Sequence, residues 1–117
     1  AVIDTWENEP QIDLALLNKV YIGTPHIAGY SADGKANATN MSVSALCRHF
    51  GIAEPSPVAP PALPSDFVYT GNPLELYNPL EDSIRLKQNP LAFEQLRGDY
   101  PLRRESVFAQ THTMCAK

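Results

Sequence analysis

Near the beginning of the sequence, Asp4, Glu9 and His26 have side chains suited to handling a proton. A carboxylate beside an imidazole holds the ring in one orientation and favours its protonated form, the arrangement a general acid–base pair needs. Asp4 and Glu9 fall where a first apolar segment ends and its loop begins, and His26 falls just past a second one. In an open parallel sheet, ligands bind beyond the carboxyl ends of the strands, so the three side chains are expected at one crevice. Spacing alone leaves open a second possibility, a histidine hydrogen-bonded for structural reasons.

The elements that must position these residues follow from the pattern. Ala1 to Trp6 is an apolar run ending in polar residues, which predicts a strand buried on both faces within a larger parallel sheet. Ile12, Leu14, Leu16 and Leu17 predict a short helix ended by Asn18 and Lys19, and Val20 to Thr24 predicts the next strand. Strand, helix, strand in this order is the signature of an α/β crossover. Ser31 is a suitable N-cap for a long amphipathic helix carrying Ala36, Val43, Leu46, Cys47 and Phe50, with Gly51 as its stop. Five prolines between Glu54 and Ser65 then predict an extended connector. Beyond it, Asp66 to Thr70 predicts a strand, Gly71-Asn72-Pro73 a turn, and Leu91, Phe93, Leu96 and Tyr100 a short helix after Pro90. The tail from Arg103 carries little pattern.

Composition narrows the class. The chain has 117 residues, 44% of them apolar and 19% charged, with a net charge of −4. That is enough for one modest domain, or the end of one joined to a small second one. The nine basic residues are dispersed apart from Arg103-Arg104, so no nucleic-acid partner is expected. No run approaches the roughly 20 apolar residues of a membrane span, and no signal peptide is evident, so no membrane partner and a cytoplasmic location are expected. Cys47 and Cys115 lie far apart without a metal-binding spacing, which predicts free thiols and no metal site.

The phrase Thr24-Pro25-His26-Ile27-Ala28-Gly29-Tyr30-Ser31, preceded by Asp4-Thr5-Trp6-Glu7-Asn8-Glu9-Pro10, closely resembles the D-isomer-specific 2-hydroxyacid dehydrogenase family. The resemblance implies an NAD-dependent enzyme in which Glu9 and His26 are catalytic and Asp4 and Gly29 contact the nicotinamide end of the cofactor. Trp6, Gly29-Tyr30-Ser31 and Gly34-Lys35 are most similar to a branch of the family acting on a small phosphorylated 2-hydroxy acid, in which Tyr30 would touch the substrate. Lys35 itself is read as a solvated lysine. Members of that branch continue past the long helix into a dimerisation domain, and Phe93 to Arg97, Tyr100 and Arg103-Arg104-Glu105 resemble part of one.

The fold class implied is α/β: residues 1–52 as the C-terminal end of a Rossmann-type NAD-binding domain, 53–65 as a proline-rich linker, and 66–117 as part of a small α+β dimerisation domain forming a homodimer. No Gly-x-Gly-x-x-Gly turn is present, so the cofactor's pyrophosphate would have to be seated by a preceding part of a longer chain. Two other readings stay open: another enzyme of the same family, and a non-catalytic dimerisation module.

Overall fold

Residues 1–105 are described by a computed structural model of the chain; Cys115 lies outside the described residues. Strand β1 (Val2–Ile3) and strand β2 (Ile22–Gly23) form a two-stranded parallel sheet, with Val2 opposite Ile22 and Ile3 opposite Gly23. Helix α1 (Leu14–Lys19) makes the crossover between them. Asp13 caps it, accepting from the Ala15 and Leu16 N–H groups at 2.7 and 3.1 Å. A helix this short derives its stability mainly from packing, here the burial of Leu17.

Helix α2 (Ala32–Phe50) follows the expected frame. The Ser31 hydroxyl accepts from the Gly34 N–H at 2.9 Å. Gly51 takes φ +64°, and the Ile52 N–H reaches the Cys47 carbonyl at 3.1 Å, the six-to-one bond of a glycine-terminated helix. Of the five apolar positions expected on its inner face, only Ala36 and Cys47 are buried, whereas Val43, Leu46 and Phe50 are exposed. The connector lies back along this helix, where Asn40 exchanges two hydrogen bonds with the backbone of Val58.

The last part of the described chain departs from expectation. The strand expected at residues 66–70 is absent: the Thr70 N–H and hydroxyl are taken by the Glu75 carboxylate, and no neighbouring strand offers a ladder. Among the described residues after the connector the structure is helical, with helix α3 (Pro79–Gln88), helix α4 (Phe93–Gly98) and two short 3₁₀ turns, which corrects the α+β expectation for this segment. Leu91, expected on the inner helical face, lies in the second turn and is 95% exposed, while Phe93 and Leu86 are fully buried.

Helix α3, which the apolar pattern did not announce, lies along the open edge of β2. The Ser83 hydroxyl accepts from the Gly23 N–H at 3.0 Å, and Lys87 Nζ donates to the Val20 carbonyl at 2.7 Å. The Ser83 hydroxyl thus satisfies a strand-edge N–H that a third strand would otherwise pair, and Lys87 takes the carbonyl at the C-cap of α1. Leu86 and Phe93 join Trp6, Ile12, Leu17 and Val20 in one cluster, so chain from both sides of the connector shares a core. Val2 of β1 is exposed; the cover expected on both faces was that of a larger parallel sheet, of which the described residues hold two strands.

Gly23 is where sheet, helix and core approach most closely. A Cβ built there would lie 2.9 Å from both Leu17 Cδ1 and Trp6 Cζ2, whereas one at Gly98 meets nothing within 4 Å. Gly23→Ala is expected to lower stability by about 1–3 kcal/mol in urea melts through overpacking, and Gly98→Ala by less than about 0.5 kcal/mol.

Candidate active site

The parallel pairing of β1 and β2 brings the loops that follow them side by side, and the two loops are tied together by Asp4. One of its carboxylate oxygens accepts from the Thr24 hydroxyl at 2.7 Å and the Ile27 N–H at 2.8 Å; the other accepts from the Ala28 N–H at 3.0 Å. Trp6 fixes the same loop from within the core, its indole N–H donating to the Thr24 carbonyl at 2.8 Å. The His26 N–H closes a tight turn onto that carbonyl at 3.0 Å, and His26 takes φ +55°, a left-handed conformation unusual for a side chain of this size.

The turn aims the imidazole at Glu9. His26 Nδ1 and Glu9 Oε2 are 2.8 Å apart, while the other Glu9 oxygen accepts from the Trp6 N–H at 2.7 Å. The side chain of His26 is 47% exposed and that of Glu9 20%, so the carboxylate lies behind the ring and the ring faces outward. Burial pushes the Glu9 carboxyl up, but the hydrogen bonds from His26 and the Trp6 N–H, aided by the charges of His26 and Arg97, hold it below the ordinary carboxylate range. With Nδ1 committed to Glu9, Nε2 is the nitrogen available to a ligand.

The structure places the remaining expected site residues around this pair. Gly29 is exposed, with nothing within 4 Å of where its Cβ would be, which leaves room for a flat group against the backbone. Asp4, Thr24 and Ala28 line a cleft of about 720 Å³ together with Val2, Ile22, Leu76, Tyr77 and Arg103, and Glu9, His26 and Gly29 are not among its lining residues. Of the two residues expected to contact the cofactor, only Gly29 leaves open backbone where a flat ring would lie. Asp4, however, already uses about three of its four acceptor positions on its own chain. Tyr30 is half-buried: Lys35 Nζ lies 4.0 Å from its ring centroid, and Tyr100 meets it edge-on at 6.0 Å.

Sequence reasoning missed Arg103. Its guanidinium is buried against the ring of Tyr77 at 4.4 Å and donates to the Ile27 and Ala28 carbonyls at 3.1 and 2.6 Å. Its own carbonyl accepts from the Ala32 N–H at 2.8 Å, and Arg104 pairs with Asp33 at 3.0 Å, so this segment is stitched to the start of α2. The Arg103-Arg104 pair was visible in the sequence, but nothing in its spacing showed that the chain returns to the histidine loop.

No protein-family model matches the chain. It is 62% identical over 109 residues to an erythronate-4-phosphate dehydrogenase of Bacteroides fragilis and 58% identical over 109 residues to that of Bacteroides thetaiotaomicron, in each case through 90% of this chain and 31% of the relative. The enzyme of the same name from Cellvibrio japonicus is 38% identical over 128 aligned positions, covering 89% of this chain and 34% of the relative.

Because Glu9 titrates low in the folded chain, its contribution to stability is present above its unfolded pKa, near the model-compound value of 4.5, and is lost as pH falls through its depressed folded value. Chemical denaturation of the wild type and Glu9→Gln across pH 3–7 is therefore expected to show the largest difference at the upper end and convergence in acid. A difference independent of pH would contradict this reading. The chain spans about a third of the length of the erythronate-4-phosphate dehydrogenases to which it is similar through 90% of its own residues.

Proposed function

We propose that this chain is the C-terminal part of an NAD-dependent erythronate-4-phosphate dehydrogenase and contributes its acid–base pair. The reaction is oxidation of the 2-hydroxyl of 4-phospho-D-erythronate to the 2-oxo acid, a step of pyridoxal 5′-phosphate biosynthesis. The observation that carries this reading is the 2.8 Å contact of His26 Nδ1 with Glu9, on adjoining strand-end loops of a parallel sheet. The similarity to dehydrogenases of that name supports it. Residues 1–52 belong to the Rossmann-type NAD-binding domain, 53–65 form the linker, and 66–117 contribute to a dimerisation domain of a cytoplasmic homodimer. Among the described residues, no helix is long and apolar enough to cross a membrane.

In this mechanism His26 Nε2 accepts the proton of the substrate 2-hydroxyl while Glu9, accepting from Nδ1–H, stabilises the imidazolium that forms. Bound NAD supplies the two-electron acceptor. Gly29 leaves space for the nicotinamide ring, Asp4 keeps the histidine loop at the cleft, and Tyr30 contacts the substrate.

The test is the NAD-dependent oxidation of 4-phospho-D-erythronate by the natural full-length chain. Robust turnover by the wild type, reduced at least about 100-fold in His26→Ala, is expected. Absence of turnover with this substrate, or a His26→Ala variant as active as the wild type, would contradict the proposal. Turnover of a different 2-hydroxy acid would assign the chain to another enzyme of the family.

A further inference from the structure

Arg103 is 6% exposed, and its guanidinium faces two aromatic rings, with the Tyr77 centroid at 4.4 Å and the Tyr100 centroid at 5.7 Å. Among the described residues no carboxylate forms an ion pair with it. The buried Asp82 carboxylate is linked to it through Tyr100, whose hydroxyl donates to Asp82 at 2.9 Å. Arg103 Nε is buried without a hydrogen-bond partner among those residues. Attraction of the cation to the ring faces offsets only part of the cost of burying it on such terms. An apolar side chain of similar size would hold two segments of chain together as well or better. Adhesion alone therefore does not account for an arginine at this position.

What the guanidinium supplies is direction. A single nitrogen, Nη2, donates to the Ile27 carbonyl at 3.1 Å and to the Ala28 carbonyl at 2.6 Å. Ile27 follows His26 directly, so these bonds fix the peptide planes immediately after the histidine. The N–H groups of the same two residues donate to Asp4, and each of the four backbone polar groups of Ile27 and Ala28 thus has a charged partner. The Arg103 carbonyl also accepts from the Ala32 N–H at 2.8 Å, so one residue from beyond the connector grips the histidine loop both before Gly29 and after Ser31. His26 itself is kept at φ +55°, a conformation that a non-glycine residue leaves when its surroundings release it.

We infer that Arg103 is a positioning residue for the oxidation: acting through the Ile27 and Ala28 carbonyls, it holds His26 with Nδ1 on Glu9 and Nε2 where the substrate hydroxyl proton is taken up. The inference rests on the proposed dehydrogenase reading and adds the segment beyond the connector to the machinery of the reaction. In this role Arg103 acts on the histidine loop and not on the substrate. Proton transfer needs its heavy atoms within hydrogen-bond reach, and a misplacement of about 1 Å costs on the order of 100-fold in rate. The planar guanidinium suits the task because its donors are fixed relative to one another, and the two tyrosine rings set the plane in which it lies.

The test compares wild type, Arg103→Ala, Arg103→Gln and Arg103→Lys in the natural full-length chain, by NAD-dependent oxidation of 4-phospho-D-erythronate and by the His26 ring tautomer read from nitrogen–proton correlations. Arg103→Ala is expected to lose roughly 10- to 100-fold in kcat, with KM changed by no more than about threefold. Its ring signal is expected to average between the two tautomers, where the wild type carries the proton on Nδ1. Arg103→Lys, which keeps a charged donor, is expected to recover part of both. Guanidinium ion at roughly 50 mM, far below the molar concentrations that unfold proteins, is expected to raise the kcat of Arg103→Ala several-fold, and sodium chloride at the same concentration is not. A folded Arg103→Ala with either the wild-type kcat or the wild-type ring signal would overturn the inference, as would a loss confined to KM. If Arg103→Ala does not fold, Arg103→Gln, which fills more of the site, is read in its place with the same outcomes. If the wild type does not oxidise the substrate, the proposed function fails, and the ring signal alone decides the positioning: averaging in the variant supports it, and a wild-type signal overturns it.

Discussion

The geometry of the candidate site depends on how the backbone after β2 is held. Asp4 takes the N–H groups of Ile27 and Ala28, and Arg103 takes the carbonyls of the same two residues, so one short stretch is gripped by a carboxylate and by a guanidinium. Hydrogen bonds to charged groups contribute about 1.5–3 kcal/mol each, more than the roughly 1–2 kcal/mol that a left-handed conformation costs a non-glycine residue. The clamp can therefore hold His26 at φ +55° and keep its ring against Glu9. Without it, the loop would relax toward ordinary backbone angles and the ring would turn away from the carboxylate.

The clamp also accounts for the structural role of the segment beyond the connector. Arg103 reaches the loop because α3 lies along the edge of β2 and α4 follows it, with Leu86 and Phe93 anchored beside Trp6 and Leu17. Trp6 works in both directions, packing in that core while its indole and backbone N–H groups hold the Thr24 carbonyl and the Glu9 carboxylate. Core and site are consequently not separable here, and a packing change near Gly23 or Trp6 should be felt at the histidine.

Much of the first half was legible in the sequence because its signals are local. Ser31 and Gly51 mark the ends of α2, and the short α1 sits between two apolar runs that pair in parallel. Residue type and placement put Glu9 and His26 at one crevice but left a structural histidine open, and it was the family resemblance that paired them; the structure brings them into hydrogen-bond contact. The second half was less legible. The buried residues of α3 are Asp82, Ser83 and Leu86, so its inner face is mostly polar and produces no apolar period, although Asn78-Pro79 is a recognisable helix start. Phe67 and Tyr69 suggested a strand by residue type, but a strand needs a neighbour, and the backbone there bonds to a glutamate instead. Arg103 could not be placed at all, because a contact spanning more than seventy residues leaves no periodicity.

The most direct test of the clamp is the ring tautomer of neutral His26, read from long-range nitrogen–proton correlations of the isotopically labelled protein, in the wild type and in Asp4→Ala. The wild type is predicted to carry its proton on Nδ1, donated to Glu9, with Nε2 unprotonated. In Asp4→Ala, the two tautomers are predicted to average as the ring leaves the carboxylate. A wild-type ring protonated on Nε2, or an Asp4→Ala spectrum identical to that of the wild type, would show that the clamp does not set the histidine and would contradict this account.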